Sequence, residues 1–124
     1  MEKYYWLNND SRTFLKRGYI EGDKTPEERI RQIALAAQRR LGFDGFADKF
    51  EDYMSRGWYS LASPIWANFG LKRGLPISCF GSYIGDTMDS ILTGVAEVGM
   101  MSKMGGGTSA YFGHLRERGA EIKS

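Results

Sequence analysis

The second half of the chain shows the order strand, helix, strand, and this order limits the folds open to it. The apolar run Leu75–Phe80 predicts a short buried strand, Asp86 or Thr87 caps a helix, and Thr108–Leu115 predicts a second strand. This is the pattern of a βαβ unit, in which parallel strands need a crossover helix. Two parallel strands leave edges and both faces uncovered. The second half therefore looks like the beginning of a larger fold.

The helix between these strands has an apolar face and two glycines in its interior. Its apolar positions are Met88, Ile91, Leu92, Val95 and Val98, with Met101 as a further candidate. Gly94 and Gly99 each cost about 1 kcal/mol relative to alanine in a helix interior. We expect them where another helix packs closely.

The first half carries helix patterns. A short helix is predicted to end at Lys16, and Thr25 with Glu28 forms a capping box that starts a longer helix stopped by Gly42. Aromatic residues at helical spacing predict another helix over residues 45–56. The chain thus divides into a helical region, residues 1–70, and an α/β region, residues 71–124.

Composition excludes several classes of protein. A chain of 124 residues with 42% hydrophobic residues has the length and apolar content of one modest folded domain. A net charge of +2 gives no field for binding DNA, and no apolar run approaches the roughly 20 residues of a membrane span. One cysteine excludes an internal disulfide and a cysteine-based zinc cluster, so a reducing cytoplasm is the natural interpretation.

The single cysteine, Cys79, has two interpretations. In a short apolar run it is more often a buried small hydrophobic residue than a functional thiol. A cysteine-protease site would need a positioned histidine, and nothing positions His114, the only one. Redox chemistry by a thiol pair would need a second cysteine from elsewhere.

Two further groups of residues suit a polar ligand. Gly105–Gly107 has the composition of a phosphate loop but lacks the lysine that would follow, and a flexible turn explains it equally well. Asp86, Arg116 and Lys123 could bind a nucleotide, with cations for the phosphates and a helix start for anions. Each is also an ordinary cap or surface charge.

Four segments together carry a resemblance to a known family. They are Ser60-Leu61-Ala62-Ser63-Pro64, Ser78-Cys79, Asp86-Thr87-Met88-Asp89-Ser90-Ile91 and Leu115-Arg116-Glu117-Arg118-Gly119-Ala120-Glu121-Ile122. In this order and spacing the chain resembles the large, catalytic subunit of class I ribonucleotide reductase from Tyr5 to Lys123. The resemblance implies a helical segment followed by the first βαβ unit of a ten-stranded α/β barrel.

The resemblance also implies an active site that reduces ribonucleoside diphosphates by thiyl-radical chemistry. Cys79 matches one cysteine of the redox pair beneath the ribose. Ser63 and Ser78 match positions that contact the substrate, and Gly106 and Gly107 match the place where backbone approaches it. From the bare sequence, Pro64 places Ser63 in a loop with its hydroxyl available for bonding.

An allosteric site is implied by the same resemblance. Asp86, Thr87 and Met88, with Arg116 and Lys123, match the specificity site that binds a deoxynucleoside triphosphate effector. The helix after Asp86 matches a dimer-interface helix. No cofactor is expected on this chain, since the dimetal or radical cofactor belongs to a partner small subunit.

The resemblance leaves much of the enzyme unaccounted for. The radical cysteine, the second redox cysteine, the active-site asparagine and glutamate and the C-terminal cysteines are missing, and an ATP-cone domain has no room before Tyr5. We therefore expect an N-terminal piece of a split large subunit, inactive alone and completed by another chain. The expected partners are that fragment, the small radical-generating subunit, a thioredoxin or glutaredoxin and a second large subunit. Truncation of a longer gene is the competing explanation.

Two other functions stay open at this stage. The chain could be a non-catalytic nucleotide-binding module that regulates or assembles a reductase. It could also be an unrelated small α/β protein, which would be a stable monomer without a partner. The role of Cys79 separates the first of these from the enzyme hypothesis.

Overall fold

The structure is a computed structural model, and it describes residues 3–123. In chain order these residues form α1 (Asn9–Lys16), α2 (Pro26–Leu41), α3 (Phe46–Ser55), α4 (Ser63–Asn68), β1 (Cys79–Tyr83), α5 (Met88–Lys103) and β2 (Gly107–Tyr111). The chain folds as two compact units, Met1–Pro76 and Ile77–Ser124. Within the described range, no helix combines the length and the apolar character that a membrane crossing requires.

Local sequence signals set the limits of α2, as predicted. The Thr25 hydroxyl accepts a hydrogen bond from the Glu28 N–H at 3.2 Å, and the Glu28 carboxylate accepts one from the Thr25 N–H at 2.8 Å. Gly42 ends the helix at φ 62°, a conformation that glycine adopts without the Cβ penalty. The predicted capping box and stop are therefore confirmed.

The helical unit has its own apolar core. Its core cluster comes from the N-terminal segment, the connection between α1 and α2, and the four helices: Tyr4, Leu7, Leu15, Ile20, Ile30, Ile33, Met54 and Trp66. Burial, followed by the charge of Glu51, raises the pKa of Tyr4 to about 12. This unit therefore holds its helices together by apolar packing of its own.

A buried cation, Arg29, joins α2 to the end of α4. Only 2% of Arg29 is exposed, and its guanidinium donates to the carbonyl oxygens of Trp66 at 2.8 Å, Phe69 at 2.9 Å and Ile65 at 3.2 Å. A further N–H donates to the side-chain oxygen of Gln32 at 2.8 Å. Desolvation by burial lowers the pKa of Arg29, with the charge of Arg73 acting in the same direction. The side chain thus supplies donors to the Trp66 and Phe69 carbonyls at the end of the six-residue α4, while the Ile65 carbonyl also accepts the Phe69 N–H.

Ser63 does not lie in a loop, which corrects the prediction from sequence. It is the exposed first residue of α4, with Ala62 as the N-cap and Pro64 in the first turn. Proline fits there because the first N–H groups of a helix have no partner inside it. A residue before proline is disfavoured in the helical conformation, but this restriction does not keep Ser63 out of the helix. The predicted and observed limits of the helix differ here by only about one residue.

The α/β unit is the predicted βαβ unit. β1 pairs with β2 in parallel, Cys79 opposite Gly107 through Tyr83 opposite Tyr111, and α5 makes the crossover. The strand limits and burial differ from the prediction: β1 begins at Cys79 and alternates between exposed and half-buried residues. The segment that precedes β2 turns at Gly105, whose φ is 87°. The residues Leu75–Ser78 therefore have no extended strand beside them with which to pair.

The position at which β2 ends and the packing around the glycines of α5 also differ from the prediction. β2 stops at Tyr111, since the chain turns there and the Leu115 N–H donates to the Phe112 carbonyl at 3.1 Å. Gly94 is buried against the Ile84 side chain, which occupies the space of a Cβ. Gly99 has open space around it. Packing within the unit, rather than a second helix, thus accounts for Gly94.

Candidate functional site

One face of the two-stranded sheet is exposed, and Cys79 lies on it. Because side chains alternate along a strand, Cys79, Gly81 and Tyr83 share this face with their partners on β2. These partners are Gly107, Ser109 and Tyr111. Cys79 is exposed, so the interpretation of this thiol as a buried hydrophobic residue is wrong.

The predicted substrate residues of the α/β unit meet around this thiol. The Ser78 hydroxyl oxygen lies 3.9 Å from the Cys79 sulfur, and the Gly107 N–H donates to the Ser78 carbonyl at 2.6 Å. A Cβ on Gly106 would overlap the Phe80 ring, and one on Gly107 would lie 3.4 Å from the Ser78 carbonyl oxygen. Gly106 therefore leaves room for the Phe80 ring, which lies on the opposite face of the sheet from Cys79, and Gly107 lets the start of β2 lie against Ser78.

The predicted effector residues Asp86 and Arg116 form a second group. The Arg116 Nε donates to Asp86 Oδ2 at 2.9 Å and the Arg116 N–H to Asp86 Oδ1 at 3.1 Å. Arg116 also donates to the carbonyls of Asp86 at 3.3 Å and Glu121 at 3.1 Å. Both side chains keep about two fifths of their surface exposed, at 42% and 38%. The cation is thus fixed in position and still open to a ligand.

The other predicted effector residues lie at or after this pair. Thr87 caps α5, and its hydroxyl accepts from the Ser90 N–H at 3.1 Å. Met88, the first residue of α5, is 68% exposed. Lys123 is exposed near the end of the described chain. Ser63 belongs to the helical unit, and its contact with a substrate stays a prediction.

Sequence reasoning missed several residues of the exposed face. Ser109, Tyr83 and Tyr111 follow Cys79 and Gly107 at spacings of two and four, which is the signal that could have found them once the strands were placed correctly. His114 joins the two tyrosines, with ring centroids 4.8 Å from Tyr83 and 5.7 Å from Tyr111. This part of the face is aromatic and open.

The fold and the site define an α/β protein in which a helical unit comes first in the chain and the first strand carries an exposed thiol. Residues 5–74 match the family model of the ribonucleotide reductase all-alpha domain, and residues 77–124 match that of the ribonucleotide reductase barrel domain. The chain therefore belongs to the family of ribonucleotide reductase large subunits, and the resemblance seen in the sequence is confirmed.

Individual relatives agree with this assignment. The chain is 38% identical over 94 residues to the ribonucleoside-diphosphate reductase large subunit of Invertebrate iridescent virus 3, covering 75% of this chain and 15% of the relative. It is 35% identical over 82 residues to a putative large subunit from Frog virus 3 (isolate Goorha), covering 66% of this chain and 14% of the relative. The solved class Id ribonucleotide reductase alpha subunit of Actinobacillus ureae matches all of this chain with 63% identity and a TM-score of 0.89.

The match covers a minor part of each relative. The chain spans 14% and 15% of the two viral large subunits and 24% of the Actinobacillus ureae chain. The helical unit and the first βαβ unit of the barrel are therefore present here.

Proposed function

We propose that this chain is the N-terminal part of a ribonucleoside-diphosphate reductase large subunit and supplies one redox cysteine to its active site. The observation that carries the proposal is the exposed thiol of Cys79, set beside Ser78 and Gly107 on the open face of the barrel's first two strands. Because the chain belongs to the ribonucleotide reductase family, the reaction proposed for this thiol is ribonucleotide reduction. Ser78, Gly106, Gly107 and, from the helical unit, Ser63 are the proposed substrate contacts.

In the proposed reaction Cys79 is a source of electrons. The C–O bond at the ribose 2′ carbon breaks and a C–H bond replaces it, while the hydroxyl leaves as water. Two thiols, Cys79 and a partner outside this sequence, lose two protons and two electrons and form a disulfide. An external dithiol of the thioredoxin or glutaredoxin type then reduces that disulfide by thiol–disulfide exchange. Radical chemistry initiated by a small subunit starts the cycle.

An exposed position suits Cys79 to this work. Thiol–disulfide exchange requires access of one sulfur to the other, and a buried thiol would block both the substrate and the partner cysteine. The Ser78 hydroxyl, 3.9 Å from the sulfur, is placed for a hydrogen bond with it or with a ribose hydroxyl. The missing side chain at Gly107, which shares the face of the thiol, leaves room for a ribose above the strands.

We also propose that Asp86, Thr87, Met88, Arg116 and Lys123 bind a deoxynucleoside triphosphate effector. Arg116 supplies a cation for phosphate, and three hydrogen bonds from its guanidinium to Asp86 and Glu121 fix that group before a ligand arrives. The start of α5 adds partial positive charge next to it. Preorganisation of this kind lowers the entropic cost of binding.

Replacing Arg116 by alanine is expected to weaken effector binding by roughly tenfold to a hundredfold, because a charge-assisted hydrogen bond is worth about 1.5–3 kcal/mol. The measurement is equilibrium binding of a deoxynucleoside triphosphate to the assembled large subunit. Arg118→Ala is the matched control, since Arg118 is also exposed and lies two residues away. Equal affinity in the Arg116 variant and the wild type would contradict the assignment.

The outer face of α5 is the proposed contact between two large subunits. Met88, Leu92 and Val95 follow one another at helical spacing and are between 60% and 68% exposed. An apolar stripe of this kind on a folded unit indicates a surface that another protein covers. A charged residue at position 92 should therefore lower the dimer fraction of the assembled subunit in sedimentation experiments.

The rest of the active site is proposed to come from a separate chain, as in a split large subunit. Co-expression with the neighbouring reading frames, followed by pull-down, tests this directly. Copurification of a chain that carries the remaining reductase cysteines, with ribonucleotide reduction by the purified complex, is the expected result. Recovery of a stable monomer with no nucleotide binding would contradict the proposed function.

A further inference from the structure

The exposed sheet face ends in a cluster of three aromatic rings that the reaction proposed above does not use. Tyr83 and Tyr111 are the last residues of β1 and β2 and lie side by side, with ring centroids 6.1 Å apart and planes inclined by 32°. His114 lies against both, 4.8 Å from Tyr83 and 5.7 Å from Tyr111. The tyrosines remain 62% and 58% exposed, so their ring surfaces are available for contact.

Local backbone makes room for this cluster. A Cβ on Gly113 would overlap the Tyr111 ring and hydroxyl, so only glycine lets that ring lie over the turn after β2. The same turn brings His114 back beside Tyr83. The three rings are thus held together by a specific turn rather than by chance exposure of two strand residues.

Between the thiol and the rings the face is nearly flat. Gly81 stands opposite Ser109, and an open groove of about 370 Å³ runs over this pair to Tyr83 and Tyr111. Tyr83 lies four positions after Cys79, which corresponds to about 13 Å along the strand. A ribose at the thiol and a base beyond it together occupy a length of this order.

The chemistry of the groove favours a neutral planar ring over a phosphate. Neither β1 nor β2 contains a charged residue, so the strands offer no cation to a phosphate in the groove. Aromatic side chains stack on the faces of nucleobases, and tyrosine hydroxyls and imidazole can also bond to base edges. The rings of Tyr83, Tyr111 and His114, at the end of the face away from the thiol, are therefore suited to binding the base of a nucleotide.

We propose that Tyr83 and Tyr111, held in position by His114, form the wall on which the nucleobase of the ribonucleotide stacks when its ribose lies at Cys79. This inference rests on the proposed function, because it takes the substrate to be a nucleotide bound over this face. It adds the residues that hold the base, which the site predicted from the sequence does not contain.

The test compares two ligands on the assembled large subunit: a ribonucleoside diphosphate and ribose 5-diphosphate, which lacks a base. Tyr83→Leu and Tyr111→Leu remove the rings, and Tyr83→Phe and Tyr111→Phe retain them. We expect each leucine variant to raise the Kd of the nucleoside diphosphate by roughly tenfold, the phenylalanine variants to bind nearly as the wild type, and the Kd of ribose 5-diphosphate to be unchanged.

The outcomes separate this inference from the proposed function. Equal weakening of both ligands would show that the tyrosines only support the strands, and unchanged binding of the nucleoside diphosphate would show that the base lies elsewhere; either result overturns the inference. The proposed function fails instead if the wild-type assembly reduces no ribonucleotide. Circular dichroism of each variant checks that the fold is retained, and His114→Gln should weaken base binding less than either leucine variant.

Discussion

Replacing Cys79 by serine is expected to abolish ribonucleotide reduction by the assembled enzyme when a thioredoxin-type protein is the only reductant. The hydroxyl of serine occupies nearly the same space as the thiol but cannot form a disulfide. The two electrons needed to replace the 2′-hydroxyl by hydrogen therefore have no donor. The measurement is deoxynucleotide formation under multiple turnover, with the wild-type assembly run in parallel.

Binding provides the control for this variant. Because Cys79 is exposed and its sulfur lies 3.9 Å from the Ser78 hydroxyl, a contact that a serine can also make, the serine variant should fold normally and bind substrate and effector with nearly unchanged affinity. Cys79→Ala should behave in the same way, which excludes an effect of the new hydroxyl. Substantial turnover by either variant would contradict the redox role and favour a non-catalytic regulatory or assembly module.

Local signals in the sequence predicted α1, α2, α3 and α5 correctly but missed the short helix α4. The capping box of Thr25 and Glu28, the glycine stop at Gly42 and the Thr87 cap of α5 each depend on residues within one helical turn, and each is present in the structure. The βαβ order was also predictable, since a helix between two strands implies parallel pairing. Such features depend little on the rest of the molecule.

The strands were harder to place because their limits depend on distant partners. The apolar residues Leu75–Ile77 suggested a strand, but the parallel ladder begins only where Cys79 meets Gly107. That register moves Cys79 from an assumed core position to an exposed face. The aromatic wall of Tyr83 and Tyr111 was missed for the same reason, since its residues are far apart in sequence and meet only through this pairing.

The site itself was predictable in part. Resemblance pointed to Ser78, Cys79 and Gly107 as one group and to Asp86 with Arg116 as another, and the structure brings each group together. The role of Arg29 could not be foreseen. In sequence it belongs to an arginine-rich helix whose charges suggest a solvated face, and only tertiary packing shows that it is buried.

Replacing this buried Arg29 by leucine is expected to lower the free energy of unfolding of the helical unit by about 3–5 kcal/mol. The change leaves the carbonyls of Trp66 and Phe69 without the donor that Arg29 supplies, and each unsatisfied buried group costs about 1–3 kcal/mol. Arg29→Lys should recover little, since one ammonium group cannot reproduce the planar fork of donors. Urea denaturation followed by circular dichroism measures the change, with exposed Arg40→Leu on the same helix as the control. A loss below about 1 kcal/mol would show that water replaces the guanidinium at these carbonyls.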